Sequence, residues 1–120
     1  MKIISIKNHG FLDYITVLAF ALIPTVFAFE GIPAYLSYAL AAIHLAMTLL
    51  TAFPLGVAKV IPVKLHKLVE TCVGPILVII PWVLGFSENL TARYVYIVMG
   101  LTIIAVGLLT DYFGSGHHKS

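Results

Sequence analysis

The sequence predicts an all-α protein, a four-helix transmembrane bundle built from two tandem helical hairpins. Of its 120 residues, 61% are hydrophobic and only 10% are charged, whereas soluble domains carry roughly 25% charged residues. Four apolar stretches also reach the length of about 20 residues that a membrane-spanning helix needs. A soluble chain of this size leaves roughly a third of its surface exposed after folding. Lipid is therefore the expected surrounding of so apolar a chain.

The four predicted spans are separated by short connections that contain turn-forming or polar residues. The spans are Phe11–Phe29, Ala34–Phe53, Leu68–Phe86 and Tyr94–Tyr112. Short connections make neighbouring helices run antiparallel, so each half of the chain forms one hairpin. The predicted organisation is a first hairpin repeat at residues 1–58, a second at residues 59–114, and a flexible C-terminal tail at residues 115–120.

The basic residues predict the orientation in the membrane. Six lysines lie at the N-terminus, in the link between the second and third spans (residues 54–67, the middle link) and at the C-terminus. They are Lys2, Lys7, Lys59, Lys64, Lys67 and Lys119. The opposite side carries Arg93 with Glu30 and Glu88. Because basic residues are enriched in cytoplasmic loops, we expect a multi-pass protein of a bacterial-type inner (plasma) membrane with both termini in the cytoplasm. The net charge of +2 and the scattered lysines do not predict nucleic-acid binding.

The two halves match each other without gaps at an offset of 57 residues. The matched pairs are Lys7 and Lys64, His9 and His66, Asp13 and Glu70, Pro24 and Pro81, and Phe29 and Phe86. Each first helix therefore starts with the pattern Lys-x-His-x-x-x-acid. A hairpin returns the chain to its starting side, so the copies should be related by a pseudo-twofold axis along the membrane normal. This arrangement differs from the inverted repeats of many transporters.

Two proline-containing segments, Leu22–Val26 and Ile79–Phe86, resemble the SPW repeat family of small bacterial membrane proteins. That family is named for a Ser-Pro-Trp motif in the first of two transmembrane helices in each repeat. In this chain Ile23 and Ile80 stand at the serine positions, and only the second copy keeps the tryptophan, Trp82. The resemblance implies an architecture of two helical hairpins and implies no biochemical activity.

The duplicated histidines and acids are the candidate metal ligands. His9 and Asp13 are four residues apart, as are His66 and Glu70, and this spacing puts each pair on one helix face. If the two first helices meet, these four side chains converge at the cytoplasmic end and suit zinc, iron or manganese. The structural alternative is two ion pairs on the helix surface, each contributing less than about 1 kcal/mol.

His44 is predicted to be a separate, membrane-buried polar residue, because it lies in the middle of the second span and aligns with Leu101. Ionisable groups at such depth usually face the bundle interior. Thr48, four residues further on, is its expected same-helix partner. The functional alternatives for His44 are a proton relay and an axial haem ligand. With no second histidine predicted at this depth, a transition metal is favoured over haem as cofactor.

Proline and glycine positions predict local features of the helices. Pro24 and Pro81 should kink the outer ends of the first and third helices. Gly74, Gly100 and Gly107 are expected where helices pack closely.

No catalytic motif stands out in the sequence, which contains no nucleotide-binding loop, Ser-His-Asp set or zinc-protease pattern. The leading hypothesis is a non-enzymatic bundle that binds a ligand or ion through the duplicated His/acid pairs. One alternative is a small proton-coupled channel or carrier that uses His44 and works as a homo-oligomer. The other is an accessory subunit that packs against a larger membrane protein.

Overall fold

The computed structural model describes residues 2–112 and contains four helices. They are α1 (Ile6–Val26), α2 (Ile32–Leu50), α3 (Val63–Val83) and α4 (Leu90–Leu109). Two short strands, β1 (Ile4–Ser5) and β2 (Thr110–Asp111), pair in parallel. The predicted all-α, four-helix class is confirmed. The predicted tail, residues 115–120, lies outside the described residues.

Helices α1 and α3 each begin five residues before the predicted apolar stretch and end three residues before its end. The prediction followed the apolar runs alone, but lysine, asparagine and histidine are compatible with a helical backbone. In α1 the N-cap Ser5 accepts a hydrogen bond from the backbone N–H of Asn8 at 3.1 Å. As a result, His9 and His66 lie inside the first turns of α1 and α3.

Pro24 and Pro81 lie in the last turn of α1 and α3, and each helix ends two residues after its proline. The carbonyl of Pro24 accepts from the backbone N–H of Phe29, and that of Pro81 accepts from Phe86, both at 2.8 Å. These bonds satisfy carbonyl groups that a helix end leaves without a partner. Both prolines therefore lie close to the hairpin connections, and the kinks expected at them stay a prediction.

Among the described residues, α1, α2 and α4 are long and apolar enough to cross a membrane. Helix α3 has the same length as α1 but carries Lys64, Lys67 and Glu70 in its N-terminal part. Large apolar side chains such as Leu18 and Leu108 are exposed on the helices. Apolar exterior surface of this kind fits contact with a lipid bilayer. A fourth crossing, by α3, stays a prediction.

The N-terminal strand, the middle link and the C-terminal strand lie at one end of the bundle, which we call the link end. Strand β1 pairs with β2, and the middle link is tied to α1 because the Tyr14 hydroxyl donates to the carbonyl of Leu55 at 2.8 Å. Thr51, directly after α2, forms an isolated parallel bridge with Ile61, which lies two residues before α3. These three segments were predicted to share one side. That this side is cytoplasmic stays a prediction.

The two hairpins repeat the same burial pattern. In α1 and α3 the buried positions recur at an offset of 57, namely His9, Asp13, Phe20 and Pro24 against His66, Glu70, Leu77 and Pro81. In α2 and α4 they recur at an offset of 59, namely Pro33, Ser37 and Ala41 against Ala92, Tyr96 and Gly100. The two-residue change falls in the hairpin connection, and it aligns His44 with Ile103 rather than Leu101. The repeated burial supports the pseudo-twofold relation, which stays a prediction.

Helices α3 and α4 approach closely at two glycines. A Cβ atom on Gly100 would lie 2.6 Å from the carbonyl oxygen of Gly74, and one on Gly74 would lie 2.6 Å from Ile104 Cγ1. A Cβ atom on Gly107 would meet nothing nearer than the Tyr112 hydroxyl at 3.9 Å. The predicted close packing is therefore confirmed at Gly74 and Gly100 and is wrong at Gly107.

We expect Gly100→Ala to lower the free energy of unfolding by about 1–3 kcal/mol, because the added methyl group meets α3 backbone that cannot move alone. Gly107→Ala is the matched control on the same helix and should change stability by less than about 0.5 kcal/mol. Thermal unfolding in detergent measures both. Equal effects of the two substitutions would contradict the close approach at Gly100.

Candidate metal centre

Four buried side chains converge at the link end of the bundle. His9 and Asp13 come from α1, and His66 and Glu70 come from α3. One ligand atom from each can be chosen so that all four lie within 4.8 Å of one another. None of these residues is more than 5% exposed. The alternative of two ion pairs on the helix surface is therefore wrong, and the predicted convergence is present.

Each carboxylate contacts the histidine of its own helix and the histidine of the other hairpin. Glu70 Oε1 lies 2.9 Å from His9 Nε2, and Glu70 Oε2 lies 3.0 Å from His66 Nε2. Asp13 Oδ2 lies 3.3 Å from His9 Nε2 and 3.1 Å from His66 Nε2. The two hairpins therefore share one cluster, in which all four contacts converge on histidine Nε2 atoms.

The opposite nitrogen of each imidazole contacts a threonine of the other hairpin. His9 Nδ1 lies 2.8 Å from Thr110 Oγ1, and His66 Nδ1 lies 2.7 Å from Thr51 Oγ1. Each threonine hydroxyl donates its proton to the backbone carbonyl four residues earlier, at 2.6 Å for Thr110 and 2.5 Å for Thr51. A hydroxyl group has one proton, so each threonine oxygen accepts from the imidazole. Both rings therefore carry a proton on Nδ1.

This arrangement leaves both Nε2 atoms facing carboxylate oxygens. On a neutral ring with Nδ1 protonated, Nε2 presents a lone pair, which would repel a carboxylate at about 3 Å. A positive species must lie between them, either a metal ion or a proton, which the ring or the carboxyl group can carry. Asp13 Oδ2 has no hydrogen-bond partner among the described residues. Two buried carboxylates thus require two positive charges, which two protons or one divalent cation supply.

Two aromatic side chains cover the cluster at the link end. Phe53 is fully buried, and its ring centroid lies 4.7 Å from that of His66 and 5.6 Å from that of His9. The Tyr112 ring lies 5.0 Å from His9, and its hydroxyl lies 3.4 Å from Glu70 Oε1. Tyr112 follows α4, and burial together with the nearby carboxylates raises the pKa of its phenol. The phenol therefore stays a neutral donor.

The threonines and aromatic residues form a second duplicated motif that sequence reasoning missed. Thr51-x-Phe53 follows α2 and Thr110-x-Tyr112 follows α4, at an offset of 59 residues. The gap-free comparison at 57 residues could not align them, because the second hairpin connection is longer. A search that allowed two extra residues in that connection would have found a Thr-x-aromatic pattern after each second helix.

His44 belongs to the same cluster, contrary to the prediction that it lies apart. Its Nε2 atom is 3.4 Å from Asp13 Oδ1 and 3.6 Å from Glu70 Oε2. Its ring centroid lies 6.2 Å from that of His66, so the expectation of no other histidine at this depth is wrong. The error arose because α1 and α3 begin before their apolar runs, so that His9 and His66 lie inside the helices rather than before them. Thr48 is buried but donates to the backbone carbonyl of His44 at 2.8 Å, not to the ring.

A cavity of about 320 Å³ adjoins the cluster between α3 and α4. Glu70 and Tyr112 line it beside the cluster, Ile104 lines its apolar wall, and Lys2 and Lys67 also contribute to its lining. The Nζ atom of Lys67 lies 5.7 Å from the centroid of the Tyr112 ring. Glu70 is therefore a member of both the cluster and the cavity lining.

Comparison with known proteins places both hairpins in one family. The family model of the SPW repeat domain matches residues 7–110. The chain belongs to the SPW repeat family. The predicted resemblance is thus confirmed, and the matched SPW segment includes every histidine and carboxylate of the cluster. No curated protein and no solved structure matches the chain.

We expect the crossed threonine contacts to be visible in nuclear magnetic resonance spectra of protein labelled with ¹⁵N-histidine in detergent micelles. Both His9 and His66 should show a proton on Nδ1. Thr51→Val removes the acceptor for His66 and should shift mainly its Nδ1 signal, whereas Thr110→Val should shift mainly that of His9. Either ring lacking the Nδ1 proton in the unaltered protein would contradict this assignment, as would equal shifts of both rings in each variant.

Proposed function

We propose that this SPW repeat protein binds one divalent transition-metal ion inside its bundle, with His9, Asp13, His66 and Glu70 as ligands. The observation that carries the proposal is that the four ligand atoms lie within 4.8 Å of one another. Ligands held 2.0–2.2 Å from one ion are at most about 4.4 Å apart. Movements of a few tenths of an ångström would therefore suffice for ligands on opposite sides of an iron or manganese ion. A tetrahedral zinc site, with ligand atoms about 3.5 Å apart, would need the most distant pair to approach by about 1 Å.

The contacts around the ligands support this proposal. Histidines that bind metals almost always donate their other ring N–H to a neighbouring acceptor, which fixes the orientation of the ring. Thr110 and Thr51 provide such acceptors for His9 and His66. Both rings then direct Nε2 into the cluster. The two carboxylates balance the charge of one divalent cation, so the buried centre is neutral overall.

The same geometry favours an ion over haem. The carboxylates of Asp13 and Glu70 lie among the Nε2 atoms of His9, His44 and His66, at distances of 2.9–3.6 Å. A porphyrin would need this space for its macrocycle. Carboxylate and imidazole together are ligands that zinc, iron and manganese accept.

Metal binding in this proposal links the two SPW hairpins. Each hairpin contributes one histidine and one carboxylate, so neither half holds a complete ligand set. The lysines near the link end favour a position of the centre on the cytoplasmic side of a bacterial-type inner membrane under the positive-inside rule. The ion would then arrive from the cytoplasm, and the cavity between α3 and α4 offers it a route to Glu70.

A second candidate function is proton conduction through the same cluster. The observation that favours it is that His44 Nε2 has no hydrogen-bond partner among the described residues, although it lies within 3.6 Å of both carboxylates. Histidine is the side chain that most often relays protons between neighbouring groups near neutral pH. Vesicles containing the protein should then show a pH-driven proton flux that His44→Ala reduces. Equal flux in empty vesicles would remove this candidate.

The metal-binding proposal predicts about one equivalent of zinc, iron or manganese in protein purified in detergent without chelators. The double variant His9→Gln, His66→Gln should lose the ion, because it removes both nitrogen ligands. Elemental analysis after size-exclusion chromatography measures the bound metal, and circular dichroism checks the helical content of the variant. Asp13→Asn, which keeps the side-chain shape and removes one charge, should weaken binding at least about tenfold.

The matched control is the double variant His117→Ala, His118→Ala, which removes two histidines of the C-terminal tail and should keep the ion. The proposal fails if the unaltered protein takes up none of the three metals after incubation with each. It also fails if a folded His9→Gln, His66→Gln protein binds metal as tightly as the unaltered one.

Metal binding should release about two protons per ion, because the cluster without metal needs two protons between its imidazole nitrogens and its carboxyl oxygens. Calorimetric titration with zinc in two buffers of different ionisation enthalpy measures the number of protons released. Removing Asp13 by Asp13→Asn lowers the negative charge of the cluster and should reduce that number. Zinc binding without proton release would show that Nε2 is not protonated in the metal-free protein.

A further inference from the structure

We infer that His44 is a fifth ligand of this centre and shifts its preference from zinc(II) toward manganese(II) and iron(II). The inference rests on the proposed metal-binding function and deepens it by naming the class of ion. Its basis is the position of His44 Nε2, 3.4 Å from Asp13 Oδ1 and 3.6 Å from Glu70 Oε2. The imidazole therefore points at the same two carboxylates that His9 and His66 share.

The nitrogen of His44 has no other partner in the part of the chain that the structure describes. The side chain is only 12% exposed, and it lines a small cavity of about 40 Å³ whose other walls are mostly apolar. A buried imidazole nitrogen without a hydrogen bond is unfavourable. A cation held between the carboxylates gives this nitrogen a partner without any change of the backbone.

His44 is also the member of the cluster that the duplication does not repeat. At the 59-residue offset of the second helices, its counterpart is Ile103, which is buried and lines the same cavity as His44 and Glu70. The first hairpin thus contributes a nitrogen at a position where the second contributes an apolar side chain. The protein thus offers five ligands, of which the first hairpin contributes three and the second contributes two.

Five ligands of this type change which ion fits best. A set of two histidines and two carboxylates suits the four-coordinate, tetrahedral geometry that zinc prefers. Adding His44 gives three imidazoles and two carboxylates, a number beyond the usual zinc set. Manganese and iron accept more than four oxygen and nitrogen ligands, as in octahedral sites. Zinc remains the stronger binder by the general order of divalent metals, so the expected effect of His44 is on the ratio of affinities.

The chain itself suggests the test substitution, His44→Ile, which gives the first hairpin the residue that the second already has. Manganese(II) and zinc(II) binding to the unaltered protein and to the variant is measured by competition with a chromophoric chelator. We expect the ratio of zinc to manganese affinity to rise at least about tenfold in His44→Ile. X-ray absorption of the manganese-loaded proteins should show one imidazole ligand fewer in the variant.

Thr48→Val is the matched control on α2, because it alters a buried residue next to His44 and leaves all five ligands in place. Its affinity ratio should equal that of the unaltered protein. If His44→Ile does not fold, His44→Gln provides the same comparison with a polar side chain.

An unchanged ratio and an unchanged number of imidazole ligands in the folded variant would overturn the role of His44 while leaving the four-ligand centre intact. Absence of binding of both metals to the unaltered protein would instead overturn the centre itself.

Discussion

The structure depends on two carboxylates, Asp13 and Glu70, that are buried together at one end of an apolar bundle. An unpaired buried carboxylate costs several kcal/mol of solvation free energy that nearby groups must offset. The surrounding side chains follow from this constraint. Histidine Nε2 atoms face the carboxylates, threonine hydroxyls fix the histidine rings, and the rings of Phe53 and Tyr112 pack against the histidines at the link end. The result is a polar centre whose charge balance decides what it can bind.

Duplication of the hairpin solves this charge problem in a way that one hairpin could not. Without the second hairpin, His9 and Asp13 would lack the second carboxylate, the histidine of α3 and the threonine that contacts His9 Nδ1. In the folded chain, His9 contacts Thr110 and His66 contacts Thr51, so each hairpin completes the other. The Gly74–Gly100 contact adds close backbone packing inside the second hairpin. His44 of the first hairpin corresponds to Ile103 of the second. The repeated site therefore has one histidine that only the first hairpin supplies.

Much of this could be predicted from the sequence, because hydrophobic length and i, i+4 spacing are local properties. The helices follow from the apolar runs, and the pairing of His9 with Asp13 follows from the helical repeat. The placement of His44 could not be predicted, since its depth relative to His9 depends on where α1 begins. The gap-free comparison of the two halves missed the Thr-x-aromatic motif, because the longer second connection shifts it by two residues. Sequence spacing thus determines which residues share a helix face, while loop lengths determine which faces meet.

The crossed contact between His9 and Thr110 has a consequence for biogenesis. A ribosome makes His9 near the beginning of the chain and Thr110 about 100 residues later, after all four helices. During synthesis the first hairpin reaches the membrane with Asp13 and His9 lacking the partners that α3 and β2 later supply. The N-terminal polar residues of α1 must therefore stay hydrated at the membrane surface until the last helix is complete. Closure of the bundle, and with it the withdrawal of these charges from water, is therefore a late step that follows synthesis of the last helix.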